Sequence, residues 1–182
     1  RAILLSDKAF AGSDTLATAH ILSKAIRKLG PFEAVLCGDE TTDGGTAQVS
    51  PQIAEFLGVP NVMHVSALEV APDGLFRIRS QIDHAYLLIE IRSPMVLSVV
   101  RDVNVPRYVT LMNILEAEQK DLQVWSSKEL DLTEPWVGLS GSPTEMLGLS
   151  APQKKVRSEM LPGDFEQQAA ELADRLHRLG FL

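Results

Sequence analysis

Residues 33–57 read EAVLCGDETTDGGTAQVSPQIAEFL and predict a buried strand, a glycine-containing loop and a helix, in that order. Residues 33–38 are the kind of short aliphatic run that forms a parallel strand covered on both faces. The helix is predicted over residues 46–57, with Gly58 and Pro60 ending it. The loop of such a unit lies at the carboxyl end of its strand, where open α/β sheets bind ligands.

The residues before this unit alternate in the same way. Ala2–Ser6 is a short aliphatic run typical of a buried strand, and a helix is predicted from a cap at Ser13 or Asp14 to about Leu29. The order strand–helix–strand–helix–strand implies right-handed crossovers and a parallel sheet. The predicted fold class is therefore α/β.

Beyond Asn61 the pattern changes to short strands. They are predicted at residues 62–65, 76–81, 86–91 and 95–100, with a hairpin turn at 71–74 and a short helix at 110–118. Residues 126–162 are rich in proline and glycine and are interpreted as an extended arm, before a final amphipathic helix at 164–179. We therefore expect an α/β core with a sheet extension over residues 1–125, and an arm with a C-terminal helix over 126–182.

Composition argues against nucleic-acid binding, membrane insertion and metal binding. The formal net charge is −7, which disfavours a general nucleic-acid binder, and no apolar run approaches the length of a membrane span. The lone Cys37 fits a reducing compartment, and the four histidines lack ligand spacing, so no metal site is expected. The chain opens without Met on what is already a buried strand, and we expect that an N-terminal segment is truncated or unobserved.

The loop at residues 38–49 is the candidate ligand site. Gly44 and Gly45 let the backbone approach a ligand, and Asp43 either binds a ribose hydroxyl or orients the loop. The Thr46 hydroxyl either caps the helix or contacts a phosphate. Three free amides at the helix start would point at an anion: those of Thr46, Ala47 and Gln48. From spacing alone a plain strand-to-helix turn is the favoured interpretation, since the loop is neither a Walker loop nor a GxGxxG fingerprint.

Three segments together resemble the electron transfer flavoprotein beta subunit family. They are DKAFAGSDTLAT at residues 7–18, TDGGTAQVSPQ at 42–52 and NVPRYVTLMNI at 104–114, in family order and at family spacing. The second is similar to the family's nucleotide loop, in the form found in nitrogen-fixation-type and electron-bifurcating members. The third contains the family signature Pro-Arg-Tyr-x-Thr-Leu.

The resemblance implies a Rossmann-like three-layer αβα sandwich, related to adenine nucleotide alpha hydrolase folds. It further implies an alpha subunit that carries most contacts to FAD, and AMP or a second FAD at the beta-subunit loop. The positions that take the nucleotide role by this resemblance are Asp43, Gly44, Thr46, Ala47, Gln48 and Val49. Leu111 matches the anchor of the loop that recognises acyl-CoA or other dehydrogenases, with Arg107 and Tyr108 beside it. The implied function is that of a cytoplasmic electron carrier subunit, which has no bond-making catalysis of its own.

The sequence also departs from the family pattern. Gly45 stands where an acidic residue is common, and Met112 where proline is common. The family's first strands, which supply the other wall of the nucleotide pocket, are not in this sequence. Without the resemblance, an apolar plug in the core is the favoured interpretation of Leu111 and Met112. Two other functions stay open: a nucleotide-binding enzyme of the hydrolase-like folds, and a structural interaction subunit with a decayed nucleotide site.

Overall fold

The computed structural model describes residues 1–132, 135–148, 150–151 and 158–181. In these ranges the strands are β1 (Ala2–Leu5), β2 (Ala34–Gly38), β3 (Asn61–Val70), β4 (Phe76–Ile82), β5 (Ala85–Ile91), β6 (Met95–Val99) and β7 (Leu122–Trp125). The α-helices are α1 (Thr15–Leu29), α2 (Val49–Leu57), α3 (Leu111–Glu118) and α4 (Phe165–Arg178). Each predicted strand and helix is present, and β7 is an additional strand that was not predicted.

Five of these strands form one mixed sheet in the order β2–β6–β3–β4–β5. Strands β2, β6 and β3 run parallel, and β4 and β5 continue the sheet in antiparallel pairs. The turn between β3 and β4 is closed by the amide of Gly74, which donates to the carbonyl of Ala71 at 2.9 Å. Of the strands expected after Asn61, β4 and β5 therefore extend one edge of the parallel core, whereas β3 and β6 belong to that core.

Local signals explain where helix α1 begins and ends. The carboxylate of Asp14 accepts hydrogen bonds from the amides of Leu16 and Ala17, each at 3.0 Å. These bonds satisfy donors that the first helical turn leaves free. The helix ends at Gly30, whose φ of 101° lies in the region that favours glycine. Both boundaries agree with the sequence prediction.

Helices α1 and α2 cover one face of the parallel strands. Ala19 of α1 packs with Ile53 and Ala54 of α2 and with Val96 of β6. The opposite face carries a second buried cluster that strands alone supply: Val62, Val65, Phe76, Ile78, Met95 and Leu97. Both faces of β6 are therefore buried, as the continuous apolar sequence of a central parallel strand requires.

Strand β1 does not belong to this sheet. It pairs in parallel with β7, with Ala2 opposite Leu122 and Leu5 opposite Trp125. The expectation of one parallel sheet beginning with the first strand is therefore wrong for β1. Its partner is four residues long and lies at the other end of the predicted core, so no local periodicity could reveal the pairing.

A third buried cluster joins helix α1 to the β1–β7 pair. Its members come from α1, from β7 and from the residues that follow β7: Ile21, Ala25, Trp125, Leu130, Leu132 and Val137. Asp7, just after β1, adds a polar link, because its Oδ2 accepts from the amide and the hydroxyl of Ser127 at 2.9 and 2.6 Å. Helix α1 thus contributes to the core on both of its sides.

The chain forms two compact units, Arg1–Glu145 and Met146–Leu182. In the second unit, α4 begins with a capping box between Asp164 and Gln167. Arg175 of α4 donates to Glu159 at 2.9 and 3.0 Å and to Glu171 at 2.7 Å. The division of the chain at residues 125 and 126 stays a prediction, and residues 133–134, 149 and 152–157 of the predicted arm lie outside the described residues.

The fold class predicted from the sequence is confirmed. A central mixed sheet is flanked by helices, and β4 and β5 are the extra strands beside the parallel core. The parallel strands β2 and β6 end side by side, with Gly38 opposite Val99. Their carboxyl ends define the sheet edge from which the candidate loop leaves.

Candidate functional site

The candidate ligand loop leaves the carboxyl end of β2 and enters helix α2. The amide of Gly45 donates to the carbonyl of Thr41 at 2.9 Å, which closes a turn in the middle of the loop. Gly45 and Ala47 both have positive φ, 54° and 53°. The left-handed conformation is unfavourable for alanine, so Ala47 is a point of backbone strain in this loop.

The start of helix α2 differs from the prediction. The helix begins at Val49 rather than Thr46, and its N-cap residue, Gln48, makes no side-chain capping bond. The positive φ values of Gly45 and Ala47 interrupt the helical conformation, which explains the later start. Of the two roles left open for Thr46, capping the helix is therefore wrong, and the Thr46 side chain is exposed.

Backbone donors accumulate where the loop meets α2. In the described part of the chain, the amides of Thr46, Ala47 and Gln48 make no hydrogen bond to another residue. Free amides at the start of a helix attract anions, because the helix dipole adds a partial positive charge there. The loop therefore has three backbone donors available to an acceptor such as a phosphate oxygen.

Asp43 is held by the loop itself. Hydrogen bonding with the side chain of Thr41, followed by the amide of Gly44, holds the pKa of Asp43 below its usual range. The Gly44 amide donates to Asp43 Oδ1 at 2.8 Å and to Thr41 Oγ1 at 3.3 Å. Of the two roles expected for Asp43, orienting the loop is the one that these contacts describe.

A buried acceptor stands in the first turn of α2, next to the loop. The Oε1 atom of Gln52 is buried and has no hydrogen-bond partner among the described residues. Leaving a buried acceptor unpaired is costly, so such an atom usually has a partner that completes it. Gln52 is thus an unpaired acceptor inside the protein, in the helix that follows the loop.

Three side chains that no sequence motif connects meet at the same sheet edge. Asp39 follows β2, Ser98 lies in β6 and His64 lies in β3. The Ser98 hydroxyl donates to Asp39 Oδ1 at 2.6 Å, and His64 Nδ1 lies 2.9 Å from Oδ1 and 3.0 Å from Oδ2 of the same carboxylate. Partial burial would raise the pKa of Asp39, but the hydrogen bonds from Ser98 and His64 outweigh it and hold that pKa below its usual range.

This cluster is not a nucleophile–base pair. In catalytic triads the histidine lies between the hydroxyl and the carboxylate and takes the hydroxyl proton. Here the carboxylate of Asp39 lies between Ser98 and His64, and Ser98 is fully buried. The arrangement instead orients His64. No sequence signal pointed to it, because the three residues are isolated in three separate segments.

The candidate docking segment lies on the surface of the first unit. Arg107 and Tyr108 precede α3 in an exposed stretch, and Tyr108 is 89% exposed. Leu111 and Met112 in the first turn of α3 are 71% and 63% exposed, so the alternative that they plug a core is wrong. The Thr110 hydroxyl caps this helix by accepting from the amide of Asn113 at 3.2 Å. A capped helix thus presents adjacent apolar side chains at the surface.

Among the residues that the structure describes, no group of three or more His, Cys, Asp or Glu side chains is placed to hold a metal ion. No helix of the described chain has the length and apolar character needed to cross a membrane.

Fold and site together define an α/β protein whose candidate ligand site lies at the carboxyl edge of parallel strands. The family model of the electron transfer flavoprotein domain matches residues 1–130. The chain is 37% identical over 175 residues to the electron transfer flavoprotein subunit beta of Clostridium acetobutylicum, covering 96% of this chain and 67% of that protein. The chain therefore belongs to the electron transfer flavoprotein domain family.

Other relatives carry related names. The acryloyl-CoA reductase electron transfer subunit gamma of Anaerotignum propionicum is 37% identical over 182 residues, covering 96% of this chain and 67% of the relative. The protein FixA of Bradyrhizobium diazoefficiens is 33% identical over 184 residues, covering 97% of this chain and 64% of the relative. The chain thus spans about two thirds of the length of the relatives it matches.

Proposed function

We propose that this chain is the beta subunit of an electron transfer flavoprotein. In this role it passes electrons between dehydrogenases and an acceptor, through flavin held together with an alpha subunit. The observation that carries the proposal is family membership over residues 1–130, together with relatives named as electron transfer subunits. The relative named for acryloyl-CoA reductase supports acyl-CoA dehydrogenases as the class of redox partner.

The chain has no bond-making reaction of its own in this proposal. A flavin supplies the redox chemistry when bound, and the protein positions it, adjusts its surroundings and excludes competing reactions. Most contacts to the electron-transferring FAD belong to the alpha subunit. The acidic balance of the chain, with a net charge of −7, agrees with a partner that is a protein rather than a nucleic acid. The proposed compartment is the cytoplasm.

The beta-subunit loop holds an AMP moiety, either as AMP or as part of a second FAD. Its proposed contacts are Asp43, Gly44, Thr46, Ala47, Gln48 and Val49. The free amides at residues 46–48 support phosphate binding. Asp43 keeps the turn of the loop in place through Thr41 and Gly44.

Docking of the dehydrogenase involves Leu111, with Arg107 and Tyr108 beside it. Leu111 is 71% exposed on a capped helix, so it can enter a pocket on a partner without a rearrangement of this chain. Burying a leucine side chain stabilises a complex by about 1.5–3 kcal/mol. Leu111→Ala should therefore weaken docking about tenfold or more, while leaving the fold unchanged.

The experiment measures flavin reduction by an acyl-CoA dehydrogenase in stopped-flow mixing, for the complex with its alpha subunit. The matched control is Leu88→Ala, because Leu88 is also strongly exposed, at 84%, but lies in β5. We expect slower reduction at low dehydrogenase concentration for Leu111→Ala and wild-type rates for Leu88→Ala. Equal rates for all three proteins would contradict the docking assignment. A complex that no such dehydrogenase reduces would contradict the proposed redox partner.

A further inference from the structure

His64 has an unusual backbone conformation for its place in a strand. Its φ is +52°, in the left-handed region that residues with a side chain rarely adopt. The conformation coincides with an irregularity in the pairing of β3 with β6, where Val62 lies opposite Leu97 but Val65 lies opposite Val99. Three steps along β3 therefore match two steps along β6. Irregularities of this kind re-aim a side chain, and backbone strain of this kind concentrates at ligand sites.

A closed set of hydrogen bonds fixes the direction of the imidazole ring. The Ser98 hydroxyl donates its one hydrogen to Asp39 and accepts from the backbone amide of His64 at 3.3 Å. The pKa of Asp39 lies below its usual range, so its carboxylate only accepts hydrogen bonds. It accepts one from Nδ1 of His64. Nδ1 therefore carries the hydrogen, and in the neutral ring Nε2 is a hydrogen-bond acceptor.

His64 lies at the same sheet edge as the nucleotide loop, through its contact with Asp39. Asp39 is the residue that begins that loop after β2, so one carboxylate both starts the loop and holds the histidine. The His64 side chain is 44% exposed, which leaves part of the ring open to a ligand. Phosphate oxygens are acceptors and suit the free amides of the loop, whereas Nε2 suits a hydroxyl group.

We propose that His64 is a ligand-binding residue of the nucleotide site, whose Nε2 accepts a hydrogen bond from a ribose hydroxyl of the AMP moiety. Asp39 and Ser98 are positioning residues that set the ring's orientation and tautomer. The AMP moiety is common to AMP and FAD, so the inference applies to either nucleotide. It rests on the proposed nucleotide loop and adds to it a recognition element on β3.

The test compares AMP with 2′-deoxy-AMP and 3′-deoxy-AMP as ligands, by isothermal titration calorimetry after bound nucleotide has been removed. The protein is used as the complex with its partner subunit. The informative variant is His64→Asn, since the introduced amide replaces Nδ1 toward Asp39, tolerates the left-handed backbone and removes Nε2. The matched control is His84→Asn, because His84 lies in the exposed turn between β4 and β5.

We expect His64→Asn to weaken AMP binding about two- to tenfold, the range of one net hydrogen bond. One of the two deoxy analogues should bind the wild type with the same loss. The variant should show no further loss with that analogue, because both changes remove the same bond. Asp39→Asn should reproduce the loss for AMP, since the introduced amide can donate to Nδ1 and turn Nε2 into a donor. His84→Asn should bind as the wild type does.

Different binding results would overturn the role of His64 and the role of the nucleotide loop. If the wild type binds AMP and His64→Asn binds it equally well, the role of His64 is overturned and the loop proposal stands. If the wild type binds neither AMP nor FAD, the loop proposal itself is overturned. Should His64→Asn fail to fold, the analogues decide on the wild type alone. Equal affinity for AMP and both deoxy forms would then overturn the ribose contact.

Discussion

Leu36 and Leu97 are register partners on the neighbouring strands β2 and β6. Leu97 is fully buried, whereas Leu36 is 61% exposed. Side chains of paired residues project from the same face of a sheet. The two leucines therefore lie on one face, Leu97 at a fully packed position and Leu36 at a partly exposed one. The same substitution, leucine to alanine, should therefore have very different effects on the free energy of unfolding.

The magnitudes follow from burial. Truncating a buried leucine costs about 2–5 kcal/mol, and the absence of exposed surface at Leu97 places it in the upper half, about 3–5 kcal/mol. For Leu36 about two fifths of a full burial contribution of about 1.5–3 kcal/mol is lost, which is roughly 1 kcal/mol or less. In a chain of this size, Leu97→Ala should lower Tm by about 6–20 °C.

Urea unfolding followed by circular dichroism measures both changes under one set of conditions. Leu97→Ala should move the transition midpoint strongly, Leu36→Ala weakly, and the denaturant slope should stay the same. Equal losses for the two variants would refute the assignment of buried and open positions. A larger loss for Leu36→Ala would mean that the outer part of this sheet face is covered in the isolated chain.

Two other predictions concern the first unit. Hydrogen bonds, foremost from the Ser127 side chain, lower the pKa of Asp7 from 3.8 to about 2, so its stabilisation is present above about pH 4 and lost as pH falls through 2. Asp7→Ala should thus be less stable than wild type at neutral pH and nearly equal at pH 2 in urea titrations; a constant difference would contradict this. At Gly138, with φ of 61°, an added Cβ would lie 2.4 Å from the Ala9 carbonyl oxygen, whereas Gly74, with φ of 76°, has open space. Gly138→Ala should therefore lower Tm much more than Gly74→Ala, and equal shifts would contradict the steric explanation.

The fold was predictable where the signals are local. Helix α1 could be predicted because Asp14 caps it and Gly30 ends it within one continuous amphipathic stretch. The start of α2 could not, because the left-handed conformation of Ala47 has no signature in the residue type. The pairing of β1 with β7 depends on contacts between distant segments, which periodicity cannot reveal.

The candidate site, like the fold, was predictable only where its signals are local. The loop at residues 38–49 stood out because glycines between a strand and a helix have a known structural meaning, and family resemblance gave its residues their roles. The cluster of Asp39, His64 and Ser98 did not stand out, since it depends on a strand irregularity that brings a histidine of β3 toward the end of β2. Exposure of Leu111, which separates a docking surface from a core plug, also required the structure.

The nucleotide content of the purified complex decides whether this chain is the beta subunit of an electron transfer flavoprotein. The chain is purified with its alpha subunit under native conditions, the visible spectrum is recorded, and released nucleotides are separated and quantified. An electron transfer flavoprotein beta subunit predicts about one flavin with AMP, or about two flavins if the loop holds a second FAD. A complex that releases neither flavin nor adenine nucleotide would contradict the proposed function.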